Sequence, residues 1–267
     1  MSASTEKTAL LTVDQVTVQF GGLKAVDQVS FVVNKGELVG LIGPNGAGKT
    51  TMLRAITGVV TATKGEVYLG NEPLVHLSIE KRVRKGMSLS QQLVKPLRNM
   101  SLLDNVAMAA GYHKTLSPLR ALLNVSNKAE REIGMEMLSR VGIADRADQM
   151  PSVQPLGILK RLELARALAL KPELFLLDEP LAGLNSKEAE AFANTILDIY
   201  KSGMTVVLIE HNLGEVMRLC QRLIVLDNGK KIGDGEPRAV MSDETVRAAY
   251  LGGDVLASKQ AEEEHHA

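Results

Sequence analysis

The sequence predicts an α/β fold, with a mixed sheet covered by helices, an antiparallel β layer at the start of the chain and an inserted helical subdomain. Apolar and polar residues alternate in the first part of the chain, which is the period of a strand with one buried face. Continuous apolar runs of strand length recur at residues 38–42, 174–177 and 206–209. Such runs are typical of parallel strands buried on both faces by helices.

The antiparallel strands are predicted from alternation and from turns. Val16, Val18 and Phe20 alternate with polar residues, and a glycine pair then turns the chain into a second strand. Near the carboxyl terminus, an apolar run at residues 223–226 is followed by a hairpin-type turn at residues 227–230. We therefore expect a hairpin near each end of the chain.

The rest of the chain divides by composition. The run at 38–42 is followed by a glycine-rich loop and a helix that begins at Lys49 and stops at Gly58. We expect an N-terminal tail over residues 1–9, one domain over residues 10–253 and a disordered tail over residues 254–267. Within the domain, a helical subdomain is expected at about residues 93–170, and it contains a basic stretch at residues 112–128.

The overall composition excludes several classes of protein. The chain has 267 residues, 45% of them hydrophobic and 23% charged, which argues against wholesale disorder and against fibres. Its 31 basic residues equal its 31 acidic ones, whereas a generic nucleic-acid binder usually carries a basic excess. Cys220 is alone and is predicted to be a buried apolar residue rather than a reactive thiol. The basic stretch at 112–128 is either a solvated helix pair or a surface that faces a membrane or partner.

Residues 43–50 match the phosphate-binding pattern GxxxxGK[ST] between a predicted strand and a predicted helix. Glycines let consecutive backbone N–H groups converge on phosphate oxygens, and the helix N-terminus adds its positive dipole end. Lys49 would reach the β- and γ-phosphates, and the Thr50 hydroxyl would bind Mg²⁺. The predicted nucleotide-binding residues of the loop and helix start are Gly43, Pro44, Asn45, Gly46, Ala47, Gly48, Lys49, Thr50 and Thr51.

Two further strand ends carry polar residues suited to nucleoside triphosphate hydrolysis. Asp178 follows a buried strand and would hold Mg²⁺ through water, and Glu179 beside it would polarise the attacking water as a general base. His211 follows another such strand and is predicted to contact the γ-phosphate. Alone, each feature is a weak signal that an ordinary strand end explains better; together with the loop they indicate a catalytic site.

The order of these motifs resembles the ATP-binding subunit of an ABC transporter, a P-loop NTPase, over nearly the whole chain. The resemblance also uses Gln92 in the Q-loop position and a D-loop-like segment at 181–185. It implies ATP and Mg²⁺ as cofactors, with Gln92 catalytic and among the Mg²⁺ ligands beside Thr50 and Asp178. It further implies that Phe20 stacks on adenine, although a core residue at a strand end is the alternative.

Finer features resemble the branched-chain amino acid importer branch of that family. They lie at residues 19–26, 116–118, 182–185, 209–211 and 249–252. This resemblance implies a second ABC ATPase subunit, two membrane permease subunits and, indirectly, a solute-binding protein as partners, and no nucleic acid. It places the chain peripherally on the cytoplasmic face of the inner or plasma membrane. The solute stays open among branched-chain amino acids, amides, urea and other polar compounds.

The family's signature motif, which contacts ATP held by the opposite subunit, is degenerate here. It falls on Pro155, Leu156, Gly157 and Ile158, so that a proline replaces the usual serine and an isoleucine the usual glutamine. Proline supplies neither a hydroxyl nor a backbone N–H. The sequence therefore predicts a heterodimer with one competent and one impaired ATP site, unless Gly157 and the helix dipole suffice.

Two rival functions belong to other classes. The degenerate signature is compatible with a regulatory subunit that mainly binds nucleotide, although the retained Glu179 and His211 argue against this role. A soluble ABC ATPase that acts on nucleic acid or ribosomes is the second rival, and the zero net charge counts against it.

Overall fold

The computed structural model describes residues 8–90, 95–112 and 127–250. The strands of this part of the chain are β1 (Ala9–Phe20), β2 (Leu23–Asn34), β3 (Leu38–Ile42), β4 (Lys64–Leu69), β5 (Glu72–Pro73), β6 (Met87–Ser90), β7 (Leu174–Asp178), β8 (Thr205–Ile209), β9 (Arg222–Asp227) and β10 (Lys230–Gly235). Its α-helices include α1 (Lys49–Thr57), α2 (Ile79–Arg84), α3 (Leu102–Ala110), α4 (Lys128–Arg140), α5 (Leu156–Ala169), α6 (Ser186–Lys201), α7 (Leu213–Leu219) and α8 (Pro237–Ser242), and residues 244–250 are also helical. The chain forms two compact units, a first unit of Met1–Lys85 with Gly203–Ala267 and a second unit of Gly86–Ser202.

An antiparallel layer in the first unit has the strand order β2-β1-β4-β5. The predicted first hairpin is confirmed, since β1 pairs antiparallel with β2 and Phe20 lies opposite Leu23 across the turn. The sequence analysis missed β4, where buried residues are confined to Val67 and Leu69 and the other positions are exposed or half-buried. A strand with so few buried side chains carries little of the apolar signal from which strands are predicted.

The second layer of the first unit is mixed and centres on β3. This strand is parallel to both β8 and β9, and β10 continues the layer antiparallel to β9. Every residue of β3 and β8 is buried, as their continuous apolar sequences predict. Because β3 and β8 are parallel, the loop after Ile42 and the residues after Ile209 leave the layer at the same edge.

The second unit combines a parallel strand pair with helices. β6 pairs in parallel with β7, and α3, α4 and α5 pack against one another. The helices α3 and α4 approach closely at Gly134, where an added Cβ would lie 2.9 Å from Leu103 Cδ1. The prediction missed β6 because two of its four residues are serines, Ser88 and Ser90, both buried. In the structure, burial of these serines and pairing with β7 identify the segment as a strand.

Local capping accounts for several helix starts. Ser78 and Ser101 accept hydrogen bonds from the backbone at the N-termini of α2 and α3, and Asn185 forms a reciprocal capping box with Glu188 at the start of α6.

Within the described ranges, no helix combines the length and apolarity required to cross a bilayer. Cys220 is buried, and burial raises the pKa of its thiol to about 12, as expected for an apolar packing residue.

Candidate nucleotide-binding site

The predicted phosphate loop lies between β3 and α1 in the first unit, and its backbone requires glycine at two points. Gly43 has φ +149°, and an added Cβ there would lie 2.0 Å from the carbonyl oxygen of Leu226. Gly48 has φ +100°, and its added Cβ would lie 2.4 Å from the carbonyl oxygen of Ala25. Both positions exclude a side chain, so the loop's neighbours hold its backbone in this shape.

Lys49 is buried inside its own loop. Its side chain is 5% exposed, and Nζ donates hydrogen bonds to the carbonyl oxygens of Gly43 at 2.7 Å and Pro44 at 2.9 Å. Helix α1 begins after Gly48 with no side-chain cap in the described structure, and Thr50 and Thr51 lie half-buried in its first turn. A buried ammonium beside an uncapped helix N-terminus is suited to phosphate oxygens.

The first unit brings the hairpin that carries Phe20 next to this loop. Gly48 packs against Ala25 and against Gly229 of the β9–β10 turn, and Ala25 follows the hairpin turn that carries Phe20. Phe20 is 53% exposed, so the alternative that it is a core residue is not what the structure shows. Its exposed ring is available for stacking.

His211 lies at the same edge of the mixed layer as the loop, two residues after β8. Its side chain is exposed, and its backbone N–H donates to Glu210 Oε2 at 3.1 Å. Glu210 itself is 5% exposed. The pairing of β3 with β8 therefore explains how two residues more than 150 positions apart, Lys49 and His211, share one edge.

The sequence analysis did not assign a role to Tyr250, which the structure connects to the phosphate loop. Burial raises the pKa of its phenol to about 12, and a hydrogen bond from the backbone N–H of Gly43 acts in the opposite direction. Residues 244–250 are helical, and Asp243 caps them by accepting from the N–H groups of Thr245 and Val246. The only sequence signal was an aromatic residue in the closing segment.

Asp178 and Glu179 lie at the end of β7 in the second unit, both half-buried. Glu179 has φ +48°, in the left-handed region that non-glycine residues rarely adopt. Its carbonyl oxygen accepts from the N–H of Ala182 at 3.2 Å, which closes a turn after the strand. A strained carboxylate residue at the end of a buried strand is common at functional sites.

The segment predicted to be a degenerate signature forms the start of α5 in the second unit. Pro155 stands at the N-cap position, and in the described structure no side chain caps this helix. The surface around it is apolar, because Met150 is 43%, Val153 74% and Leu156 44% exposed. Pro155, Gly157 and Ile158 also line a cavity of 370 Å³. The same cavity is lined by the charged residues Arg146, Arg161, Lys187 and Glu188.

Several predictions fall outside the described residues. They concern Gln92, most of the basic stretch at 112–128, the importer-like features at 116–118 and 251–252, and the tail at 254–267. In the part of the chain that the structure describes, no cluster of three or more His, Cys, Asp or Glu side chains is arranged to hold a metal ion. Hydroxyl, carboxylate and amide oxygens such as those of Thr50 and Asp178 are nevertheless the donors that Mg²⁺ prefers.

Comparisons with known proteins relate the chain to ABC transporter ATP-binding proteins. Residues 26–182 match the family described as ABC transporter, and residues 230–255 match the family described as branched-chain amino acid ATP-binding cassette transporter. The chain is 32% identical to the lipopolysaccharide export system ATP-binding protein LptB of Haemophilus influenzae, over 91% of this chain and 98% of that protein. It is 33% identical to the high-affinity branched-chain amino acid transport ATP-binding protein BraF of Pseudomonas aeruginosa, over the same shares.

Solved structures resemble the chain at the level of the whole fold. The ADP conformation of an ATP-binding cassette of an ABC transporter has a TM-score of 0.79 and 30% identity, covering 91% of this chain and 99% of that one. A dimeric cassette in a post-hydrolysis state, bound to ADP and Pi, has a TM-score of 0.74 and 26% identity, covering 86% of this chain and 99% of that one.

Proposed function

Because this chain belongs to the ABC transporter family and is an ATP-binding subunit that hydrolyses ATP, we propose that it powers uptake of branched-chain amino acids or related small polar solutes. The match of residues 230–255 to the branched-chain amino acid family carries this proposal. Export of lipopolysaccharide is a second candidate, because the relative from Haemophilus influenzae is about as similar as the amino acid transport relatives.

In this proposal the first unit binds the nucleotide. The N–H groups of the loop from Gly43 to Gly48 and the start of α1 hold the phosphates, while Lys49 exchanges its two carbonyl partners for phosphate oxygens. Thr51 adds a hydroxyl in the same helical turn. The exposed ring of Phe20 stacks on the adenine.

Hydrolysis then uses the polar residues at the strand ends. Glu179 accepts a proton from the attacking water as general base, and His211 contacts the γ-phosphate. Thr50, Gln92 and Asp178 would hold Mg²⁺, which neutralises charge on the phosphates when bound. Gln92 also passes the change at the nucleotide to a membrane partner.

ABC ATPase subunits act together with membrane permease components. We propose two permease subunits, a second ABC ATPase and, indirectly, a solute-binding protein as partners, with this chain held peripherally on the cytoplasmic face of the membrane.

The apolar start of α5 supports a heterodimer, since Pro155 lacks the hydroxyl that would contact ATP of the opposite subunit. One charge-assisted hydrogen bond, worth about 1.5 to 3 kcal/mol, is missing there. The site anchored by this chain is competent and the site anchored by its partner is impaired.

The ATPase assembly is tested by steady-state hydrolysis of Mg·ATP. We expect low turnover by this chain alone and high turnover in a mixture with its partner ATPase, and we expect Glu179→Gln in this chain to abolish it. Equal turnover by a homodimer of this chain would contradict the asymmetric assembly. A regulatory role predicts instead that Glu179→Gln has no effect, and a soluble ribosome- or nucleic-acid-directed ATPase predicts no co-fractionation with membranes.

The solute is tested by transport in a strain that lacks this chain. Complementation with the wild type should restore uptake of radiolabelled leucine, urea or a small amide, and complementation with Glu179→Gln should not. If the strain that lacks this chain takes up all three solutes normally and retains lipopolysaccharide at the inner membrane, the export candidate is favoured instead.

A further inference from the structure

A buried lysine in the second unit bridges helix α5 to the turn that follows β7. Lys160 is 5% exposed, and its Nζ donates to the carbonyl oxygens of Pro180 at 2.8 Å and of Glu179 at 3.4 Å. A buried ammonium is tolerated only where polar atoms surround it. Glu179 and Pro180 lie 19 and 20 residues after Lys160 in the sequence, so the bridge is a tertiary contact rather than part of the helix.

The turn that receives this bridge is conformationally demanding. Glu179 is held at φ +48°, and its carbonyl oxygen accepts from the N–H of Ala182 as well as from Lys160. A non-glycine residue stays in the left-handed region only when its surroundings hold it there. The backbone angles of Glu179 also set the direction in which its side chain leaves the chain, so the support of the turn bears on the carboxylate.

We propose that Lys160 is a positioning residue for ATP hydrolysis, because its ammonium holds the Glu179–Pro180 carbonyls and thereby keeps the Glu179 carboxylate in its working orientation. This inference rests on the proposed function, in which Glu179 is the general base. Lys160 also lies on the helix that begins with the degenerate signature at Pro155, five residues earlier. The bridge therefore ties the start of α5 and the turn after β7 into one body.

The neighbouring residue on the same helix offers a matched control. Arg161 is also a cation that donates to a backbone carbonyl, that of Val141 at 2.6 Å, and to Thr195 Oγ1 at 2.9 Å. Its guanidinium lies 5.7 Å from the centre of the Phe192 ring. These contacts anchor α5 to other parts of the second unit and not to the turn after β7. Arg161 is half-buried, and its loss therefore reports what loss of another hydrogen-bonded cation on this helix does.

The experiment compares Lys160→Met, Lys160→Arg and Arg161→Met in the full chain, in the ATPase assembly with the higher turnover. We expect Lys160→Met to lower kcat by about tenfold to a hundredfold with little change in the KM for ATP, since misplacement of a catalytic group mainly slows the chemical step. Lys160→Arg should recover most of kcat, because arginine can also donate to the two carbonyls. Arg161→Met should leave kcat within about twofold of the wild type after correction for the folded fraction.

A second measurement does not depend on turnover. Amide hydrogen exchange should become faster at residues 179–184 in Lys160→Met and return towards the wild-type rate in Lys160→Arg. Unchanged exchange there, or a loss of kcat no larger than that of Arg161→Met, would overturn the inference. If Lys160→Met does not fold, Lys160→Gln replaces it, since its amide still donates one hydrogen bond. Full turnover by Glu179→Gln would instead contradict the proposed base, while the exchange rates would still decide whether Lys160 holds the turn.

Discussion

The phosphate loop and the signature segment both lie at the start of a helix, yet the chain builds them in opposite ways. The loop has glycines that no other residue can replace, and it buries the ammonium of Lys49. The signature segment starts with Pro155 at the N-cap and exposes Val153 and Leu156. Neither helix has a side-chain cap in the described structure. In the proposed assembly, this chain therefore supplies a phosphate loop and lacks the polar signature contact.

The largest expected effect tests the intact half. Lys49→Met should lower ATP turnover by more than about a hundredfold, because the ammonium that neutralises phosphate charge is lost. Steady-state hydrolysis and equilibrium binding of a fluorescent ATP analogue measure this change. Lys85→Met is the matched control, since Lys85 pairs with Glu72 at the surface and should leave both values unchanged. If Lys49→Met hydrolyses ATP at the wild-type rate, the loop does not take part in the catalytic site.

The second prediction tries to remove the difference between the two halves. The double substitution Pro155→Ser with Ile158→Gln should raise turnover of this chain alone by about tenfold, one recovered charge-assisted hydrogen bond being worth about 1.5 kcal/mol or more. In the mixture with its partner the gain should be at most about twofold, as a second site becomes active. Unchanged turnover in both assays would mean that the native segment already suffices.

The third prediction separates two glycines of the loop. Gly48→Ala should destabilise the fold by about 3 kcal/mol, because its Cβ would meet the Ala25 carbonyl and its φ is positive. Gly46→Ala should cost about 1 kcal/mol, since φ is +79° there but nothing lies within 4 Å of an added Cβ. Urea unfolding without nucleotide measures both. Equal costs would show that backbone strain alone accounts for the requirement.

The smallest expected effect concerns pH and the contact of Tyr250 with the loop. Because burial raises the pKa of Tyr250 to about 12, its neutral form is favoured in the fold. Its contribution to stability is therefore complete below about pH 10, the pKa of an exposed tyrosine, and is lost as the pH rises through about 12. Between pH 10 and pH 12, the midpoint temperature of thermal unfolding should fall less steeply with pH in Tyr250→Phe than in the wild type. An identical slope in both proteins would place the alkaline transition elsewhere.

Much of the fold was predictable because apolar periodicity is local. The antiparallel first hairpin, the buried strands β3, β7 and β8, and the helix from Lys49 to the stop at Gly58 all agree with the structure. The missed strands β4 and β6 contain few apolar residues, and their place in a sheet depends on distant partners. Phe20 shows the same limit, since only the structure distinguishes an exposed strand end from a core position.

The candidate site divides along the same line. Residue type and spacing by themselves predicted the phosphate loop, the carboxylates at the end of β7, His211 and the departure from the family pattern at Pro155, because each is a short motif. Only the tertiary structure decided that Glu179 is held in a left-handed turn, that Lys160 supports this turn and that Tyr250 contacts Gly43. These contacts join residues far apart in the chain, and burial rather than sequence periodicity selects such partners.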